Sequence, residues 1–119
     1  MTGLLSRLFG SRAAKPGWLD TAELQRRLSS GSMLLIDVRQ PDEFTSPPGH
    51  LPGAINIPLG DLPGRIAELA ARNEPVVVVC KTDRRSSRAA ADLVAAGLRD
   101  VAVLRGGTDA WHARGLSLE

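Results

Sequence analysis

The sequence predicts an α/β fold, a central parallel β-sheet flanked by helices on both faces, and three observations predict it. The Val76-Val77-Val78-Val79 run is β-branched and apolar at every position, which suits a central parallel strand covered on each side. From Asp20 onward, short apolar runs alternate with segments of helical period, the βα alternation of a sheet sandwiched by helices. The chain has 119 residues, 43% of them hydrophobic, enough for one domain with a real core and too few for two.

Residues 17–119 are assigned to that domain, and residues 1–16 to a tail or short amphipathic segment with Leu4, Leu5, Leu8 and Phe9 at nearly helical spacing. Two turns of helix are marginal in water and too small for stable membrane anchoring. Asp20, with Glu23 after it, resembles a capping box for a helix whose apolar residues are Leu19, Leu24 and Leu28, ended by Gly31. Met33 to Val38 reads as a buried strand and Ile55 to Ile57 as a short second one. Leu62 to Ala71 reads as a helix presenting Leu62, Ile66 and Leu69 before Pro75 restarts the chain. After Val79 comes a helix from about Arg85 to Ala96, closed by Gly97 at C′, and then a strand from Val101 to Leu104. A Gly106-Gly107 turn needing positive φ or close backbone approach leads into a last helix around Thr108 to Arg114, with Trp111 packed in the core.

Composition excludes several classes of function. Aromatic residues make up 3%, which leaves no stacking platform for single-stranded nucleic acid. The formal charge of +2 becomes −1 once Arg7, Arg12 and Lys15 are set aside, so the body is no polybasic nucleic-acid binder. No apolar run approaches the roughly 20 residues that span a bilayer. Arg7 interrupts the apolar start and no cleavage pattern follows, so a secretory signal is not expected and cytoplasmic residence is. One cysteine excludes an internal disulfide and any multi-thiolate metal centre. His50 and His112 lie far apart without metal-binding spacing, so neither a metal nor a cofactor is expected.

The lone Cys80 stands at the carboxyl end of the valine strand, where open α/β sheets bind their ligands. Lys81, Thr82, Asp83, Arg84, Arg85 and Ser86 follow, then Ser87 and Arg88, so four cations and one carboxylate lie between strand and helix. A turn of this length can wrap backbone N–H groups around one atom, and the next helix aims its positive end at the same point. A free thiol of pKa near 8.5 is only about 3% thiolate at neutral pH, whereas such surroundings lower thiols to roughly 3.5–7.5. The competing reading is a buried cysteine ending an apolar strand. The basic residues fit that reading poorly, because burying them unpaired is costly.

The chain resembles the single-domain sulfurtransferases of the rhodanese-like family from about Gly17 to Gly115. Four ordered motifs carry the resemblance: Leu35-Ile36-Asp37-Val38-Arg39 with Glu43-Phe44, Gly49-His50-Leu51-Pro52-Gly53-Ala54-Ile55-Asn56-Ile57-Pro58, the Cys80 loop through Ser86, and Leu104-Arg105-Gly106-Gly107 with Ala110-Trp111. The resemblance implies that Cys80 takes a sulfane sulfur from a donor such as thiosulfate, becomes a persulfide, and passes the sulfur to cyanide or a thiol. On the same pattern the loop amides stabilise the persulfide charge, and Lys81 and Arg85 attract an anionic donor. Asp37 and Arg39 support or line the pocket, or form an ordinary buried ion pair. His50 organises its Gly-Pro turn rather than moving protons.

Two features depart from the family pattern. Asp83 stands where the loop usually carries Gly; its carboxylate opposes a nearby thiolate and selects against anionic donors unless Arg84 or Arg88 pairs with it. Thr45-Ser46-Pro47-Pro48 is about two residues longer than usual and alters a loop near the pocket rim. One alternative function is a persulfide carrier or regulatory protein-binding module with little thiosulfate turnover, its rim of Lys81, Arg84 and Arg88 recognising an acidic partner. Phosphatases of similar architecture carry Arg six positions after the cysteine, where this chain has Ser86 and Arg85 stands one position earlier. With no second cysteine, the persulfide must be discharged externally, by a small thiol, a thioredoxin-like protein or cyanide.

Overall fold

The structure is a computed structural model that describes residues 15–119. The expected amphipathic segment at Leu4 to Phe9 lies outside the described residues. The order of elements is β1 (Gly17–Leu19), α1 (Thr21–Ser30), β2 (Leu34–Asp37), α2 (Pro41–Thr45), β3 (Ile55–Asn56), a 3-10 turn (Leu59–Arg65) running into α3 (Ile66–Arg72), β4 (Val76–Val79), α4 (Arg84–Ala95), β5 (Val101–Leu104) and α5 (Gly107–Ala113). One five-stranded sheet forms in the order β1-β5-β4-β2-β3. Every pairing is parallel: Val77 of β4 is in register with Leu35 of β2 and Ala102 of β5.

The valine strand is central because nothing in it needs water. Alternate valines point to opposite faces, and each face meets its own layer. Val76 and Val78 pack with Ile36, Val103, Leu62, Leu69 and Leu93 under the 3-10 turn, α3 and α4. Val77 and Val79 pack with Leu24, Leu35, Leu104 and Trp111 under α1 and α5. The sheet is thus covered on both faces, as expected. The capping box of α1 forms in both directions: the Asp20 carboxylate accepts the Glu23 N–H at 2.7 Å, and the Glu23 carboxylate accepts the Asp20 N–H at 3.1 Å.

Several sequence expectations shift. Leu19, read as part of the first helix, closes β1, an edge strand whose three residues exist only through pairing with β5. The segment from Leu62 is 3-10 up to Arg65 and α-helical only from Ile66. Pro63 lies inside this turn, where it cannot donate the hydrogen bond that a regular α-helix would need. Helix α2 was not anticipated, although Pro41 at its first turn and Glu43, whose carboxylate accepts the Gln40 N–H at 3.0 Å, are start signals. Other boundaries move by one or two residues, the ordinary uncertainty of helix and strand ends.

The α1 layer rests on Leu24, which is fully buried. Leu24→Ala is expected to cost about 2–5 kcal/mol of unfolding free energy. Urea denaturation checks this, and a loss well under 1 kcal/mol would mean that α1 does not seal the sheet.

Candidate active site

The chain turns sharply where β4 ends, and β5 with α5 holds that turn. The carbonyl of Cys80 accepts the Thr108 N–H at 2.9 Å, and the carbonyl of Lys81 accepts the Asp109 N–H at 3.0 Å. These donors are first-turn amides of α5, which have no partner inside their own helix. They come this close only because Gly107, at φ +58°, has no side chain: a Cβ there would collide with the carbonyls of Cys80 and Lys81. This explains the Gly106-Gly107 pair physically. A third tie runs from the Gly106 N–H to the Asp83 carboxylate at 2.7 Å. With both carbonyls committed to α5, the loop beyond Cys80 is fixed from behind.

Cys80 itself is 1% exposed and belongs to the apolar layer of Val78 and Ala89. Its sulfur nevertheless meets a polar neighbour. The Ser86 N–H donates to Sγ at 3.3 Å, and the thiol donates to the Ser86 hydroxyl oxygen at 3.2 Å. That hydroxyl donates in turn to the Asp83 carbonyl at 3.2 Å. Because a hydroxyl both donates and accepts, Ser86 can turn its proton onto Sγ when the thiol ionises. Ser86 is itself fully buried in the first turn of α4. Of the several loop amides that sequence analysis gathers around the sulfur, the described hydrogen bonds bring in this one.

The loop cations do not point at the sulfur unopposed. Arg85 makes a two-pronged ion pair with Glu43 of α2, at 2.6 and 3.0 Å. Lys81 pairs with Asp109 of α5 at 3.0 and 2.8 Å. Arg88 lies 3.6 Å from Asp92, one helical turn on. Thr82 and Arg84 are exposed. Asp83 pairs with neither Arg84 nor Arg88 and spends its carboxylate on Gly106. The Arg85 hydrogen bond is the main reason that the Glu43 carboxyl is lowered from 4.5 to about 2, against the opposing effect of burial. Reciprocally, Glu43 holds the Arg85 guanidinium above its ordinary range, with Cys80 and Asp37 adding smaller pulls in the same direction.

Asp37 and Arg39 form a bidentate pair, fully buried and 5% exposed respectively, with Nη2 to Oδ2 at 2.8 Å. The same Nη2 donates to the Gly49 carbonyl at 3.0 Å, and Asn56 donates to both backbone carbonyls of the pair. The pair therefore ties β2 to the Gly49–Pro58 turn and satisfies its own charge. His50 stacks on Phe44 at 3.7 Å and bonds the Phe44 carbonyl through Nδ1 at 2.8 Å, contacts that anchor that turn to α2.

Beside the loop lies an open cleft of about 340 Å³. Arg39, Glu43, Lys81, Asp109 and His112 line it together with Ser46, Pro47 and Pro48 of the loop that follows α2. Glu43, Asp109 and His112 are neighbours of the Cys80 loop that the sequence does not reveal as such. They lie tens of residues away along the chain, and only Glu43, inside a quoted motif, carried any signal. Among the described residues no group of His, Cys, Asp and Glu could hold a metal ion.

The family model of the rhodanese-like domain matches residues 20–114. A sulfurtransferase of Allochromatium vinosum is 35% identical over 101 residues, spanning 84% of this chain and 92% of its own length. The crystal structure of thiosulfate sulfurtransferase from Pseudomonas aeruginosa superposes with a TM-score of 0.78 at 32% identity, over 97% of this chain but only 22% of that longer one. A protein of unknown function from Rhodopseudomonas palustris, described as a possible tyrosine phosphatase, also superposes with a TM-score of 0.78, at 25% identity over 94% of this chain and 90% of its own.

The Glu43–Arg85 pair sets a pH dependence. A carboxyl lowered from 4.5 to about 2 on folding stabilises the protein above pH 4.5, and that contribution disappears as pH falls toward 2. Glu43→Gln is expected to be less stable than wild type at neutral pH, with the gap closing across this acid window. Chemical unfolding at several pH values checks it; a gap that stays constant with pH would remove the pair's role.

Proposed function

The chain belongs to the rhodanese-like domain family, and on that premise we propose that it is a sulfurtransferase with Cys80 as its nucleophile. The ionised sulfur of Cys80 attacks the outer sulfur of a sulfane donor. The donor's S–S bond breaks, its electron pair leaves with the departing group (sulfite in the case of thiosulfate), and a new S–S bond makes Cys80 a persulfide. A thiolate or cyanide then takes the terminal sulfur and returns the Cys80 thiolate, a double displacement without change of net oxidation state.

The observation that carries this reading is the Ser86 amide and hydroxyl on Sγ at the carboxyl end of the central strand. A cysteine that merely filled the core would not need a helix N-terminal amide on its sulfur. Ser86 stabilises the charge on sulfur. Lys81, Thr82, Asp83, Arg84 and Arg85 shape the approach of the donor, and Asp37 and Arg39 support the loop wall. At 1% exposure, Cys80 is reached by displacement of the adjoining loop atoms, of which Lys81, Thr82 and Arg84 face solvent. The sequence contains one cysteine, so the acceptor is external: a small thiol or a thiol-bearing protein of thioredoxin-like type.

A phosphatase reading is weaker, despite the Rhodopseudomonas palustris neighbour. Arg85 stands five positions after Cys80 and is held by Glu43, so its guanidinium is not free to cradle a phosphate.

Intact-mass measurement after exposure to thiosulfate and, separately, to an alkyl persulfide is expected to show one added sulfur that cyanide removes. Cys80→Ser is expected to add none while keeping a wild-type unfolding transition. Failure of both donors to load the wild-type protein, or loading of the serine variant, would end this assignment. Loading without turnover would mark a carrier.

A further inference from the structure

Read along the chain, the Cys80 loop is strongly basic, with Lys81, Arg84, Arg85 and Arg88 against Asp83 alone. The folded site is different. Lys81 faces Asp109, Arg85 faces Glu43, and Arg88 faces Asp92. Among the described ion pairs, Arg84 has no carboxylate and Asp83 no cation, so these two charges offset one another. Three of the four cations therefore meet a carboxylate and the fourth, Arg84, is matched in net charge by Asp83, so the attractive field expected for a dianionic donor is largely cancelled within the site. Arg39 adds nothing to that field, because Asp37 already neutralises it. The adjoining cleft adds the carboxylate of Asp42.

Resting on the sulfurtransferase reading, we infer that the Cys80 site is built for an organic persulfide, R–S–SH, rather than thiosulfate, and that Asp83 and Asp109 set this preference. Thiosulfate brings two negative charges to a loop of balanced charge that carries the Asp83 carboxylate itself and has that of Asp109 against Lys81 at the adjoining cleft. It must then release sulfite, a second dianion, from the same place. An organic persulfide brings at most one. In that reaction the Cys80 thiolate attacks the terminal sulfur, the R–S–SH bond breaks, R–S⁻ leaves with the electron pair and is protonated by water, and Cys80–S–SH forms. Nothing is required beyond donor and enzyme. Asp83 also holds the loop to Gly106, so its retention serves position and selection together.

The test measures rates of Cys80 sulfur loading by intact mass for three donors: thiosulfate, the persulfide of 2-mercaptoethanol, which carries no charge beyond that of its persulfide group, and the same persulfide group on a cysteine-containing peptide. Wild type is expected to load from the organic persulfides at least tenfold faster than from thiosulfate. Asp83→Asn keeps an oxygen for the Gly106 N–H but removes the charge, and Asp109→Asn releases Lys81 at the surface. Each is expected to narrow the ratio by up to about fivefold, the scale of one carboxylate acting on the one extra negative charge of thiosulfate at close range through largely aqueous surroundings. The narrowing should shrink as salt is raised. A peptide donor faster than the small one assigns the source to a protein-held persulfide, and the reverse assigns it to a free thiol. Thiosulfate loading as fast as the persulfides, or a ratio unchanged in both variants, overturns the inference while leaving the sulfurtransferase reading intact. No loading from any donor overturns that reading instead.

Discussion

The missing side chain of Gly107 is the constraint on which the site depends. It lets the first-turn amides of α5 reach the Cys80 and Lys81 carbonyls, so the end of the central strand is gripped by the last helix rather than left to solvent. Backbone groups at a strand end must find partners, and here the partner is an element that follows the strand by more than twenty residues. With both carbonyls turned toward α5, the loop can curl forward into α4 and lay the Ser86 amide on the sulfur. Asp83 fastens the same loop to Gly106 from its other side. The strand, the nucleophile, the helix start and the Gly-Gly turn form one connected unit.

Around that unit the charges are arranged to cancel. A buried or half-buried cation without a partner is expensive, and each loop cation that approaches the protein body has found a carboxylate. The pairs differ in strength. Lys81 and Asp109 are both well exposed and their attraction is screened, a modest contribution at most. Arg85 and Glu43 are two-thirds covered and share two short hydrogen bonds, the geometry in which guanidinium–carboxylate pairing is strongest. That pair also joins α2 to α4 across the front of the sheet, so the short α2 helix is held at the rim of the cleft by the same contact that restrains Arg85. The apolar layers under α1 and α5 and under α3 and α4 supply stability; the polar ties supply shape.

Much of this was legible in the residues alone. The valine run, the alternation of strands and helices, the Asp20–Glu23 cap, Gly97 as a helix stop and the burial of Trp111 follow from local chemistry, because each depends on neighbours within a turn or two. The place of Cys80 at a strand end is of the same kind. The Asp37–Arg39 pair was foreseen as one of two readings, since residues two apart at the end of a strand are already close. What local pattern did not show was β1, whose three residues are a strand only because β5 lies beside them, and the 3-10 stretch around Pro63.

The electrostatic character of the site belongs wholly to the tertiary structure. By itself the sequence determined that a single thiol would stand where the central strand meets a helix, among basic residues, because strand, turn and helix propensities act over a few positions. It could not determine the field at that thiol. Glu43 and Asp109, which neutralise Arg85 and Lys81, arrive from α2 and α5, and charges interact through space rather than along the chain. Only the folded sheet, by bringing those helices to one edge, decided that a loop basic in sequence is balanced in three dimensions.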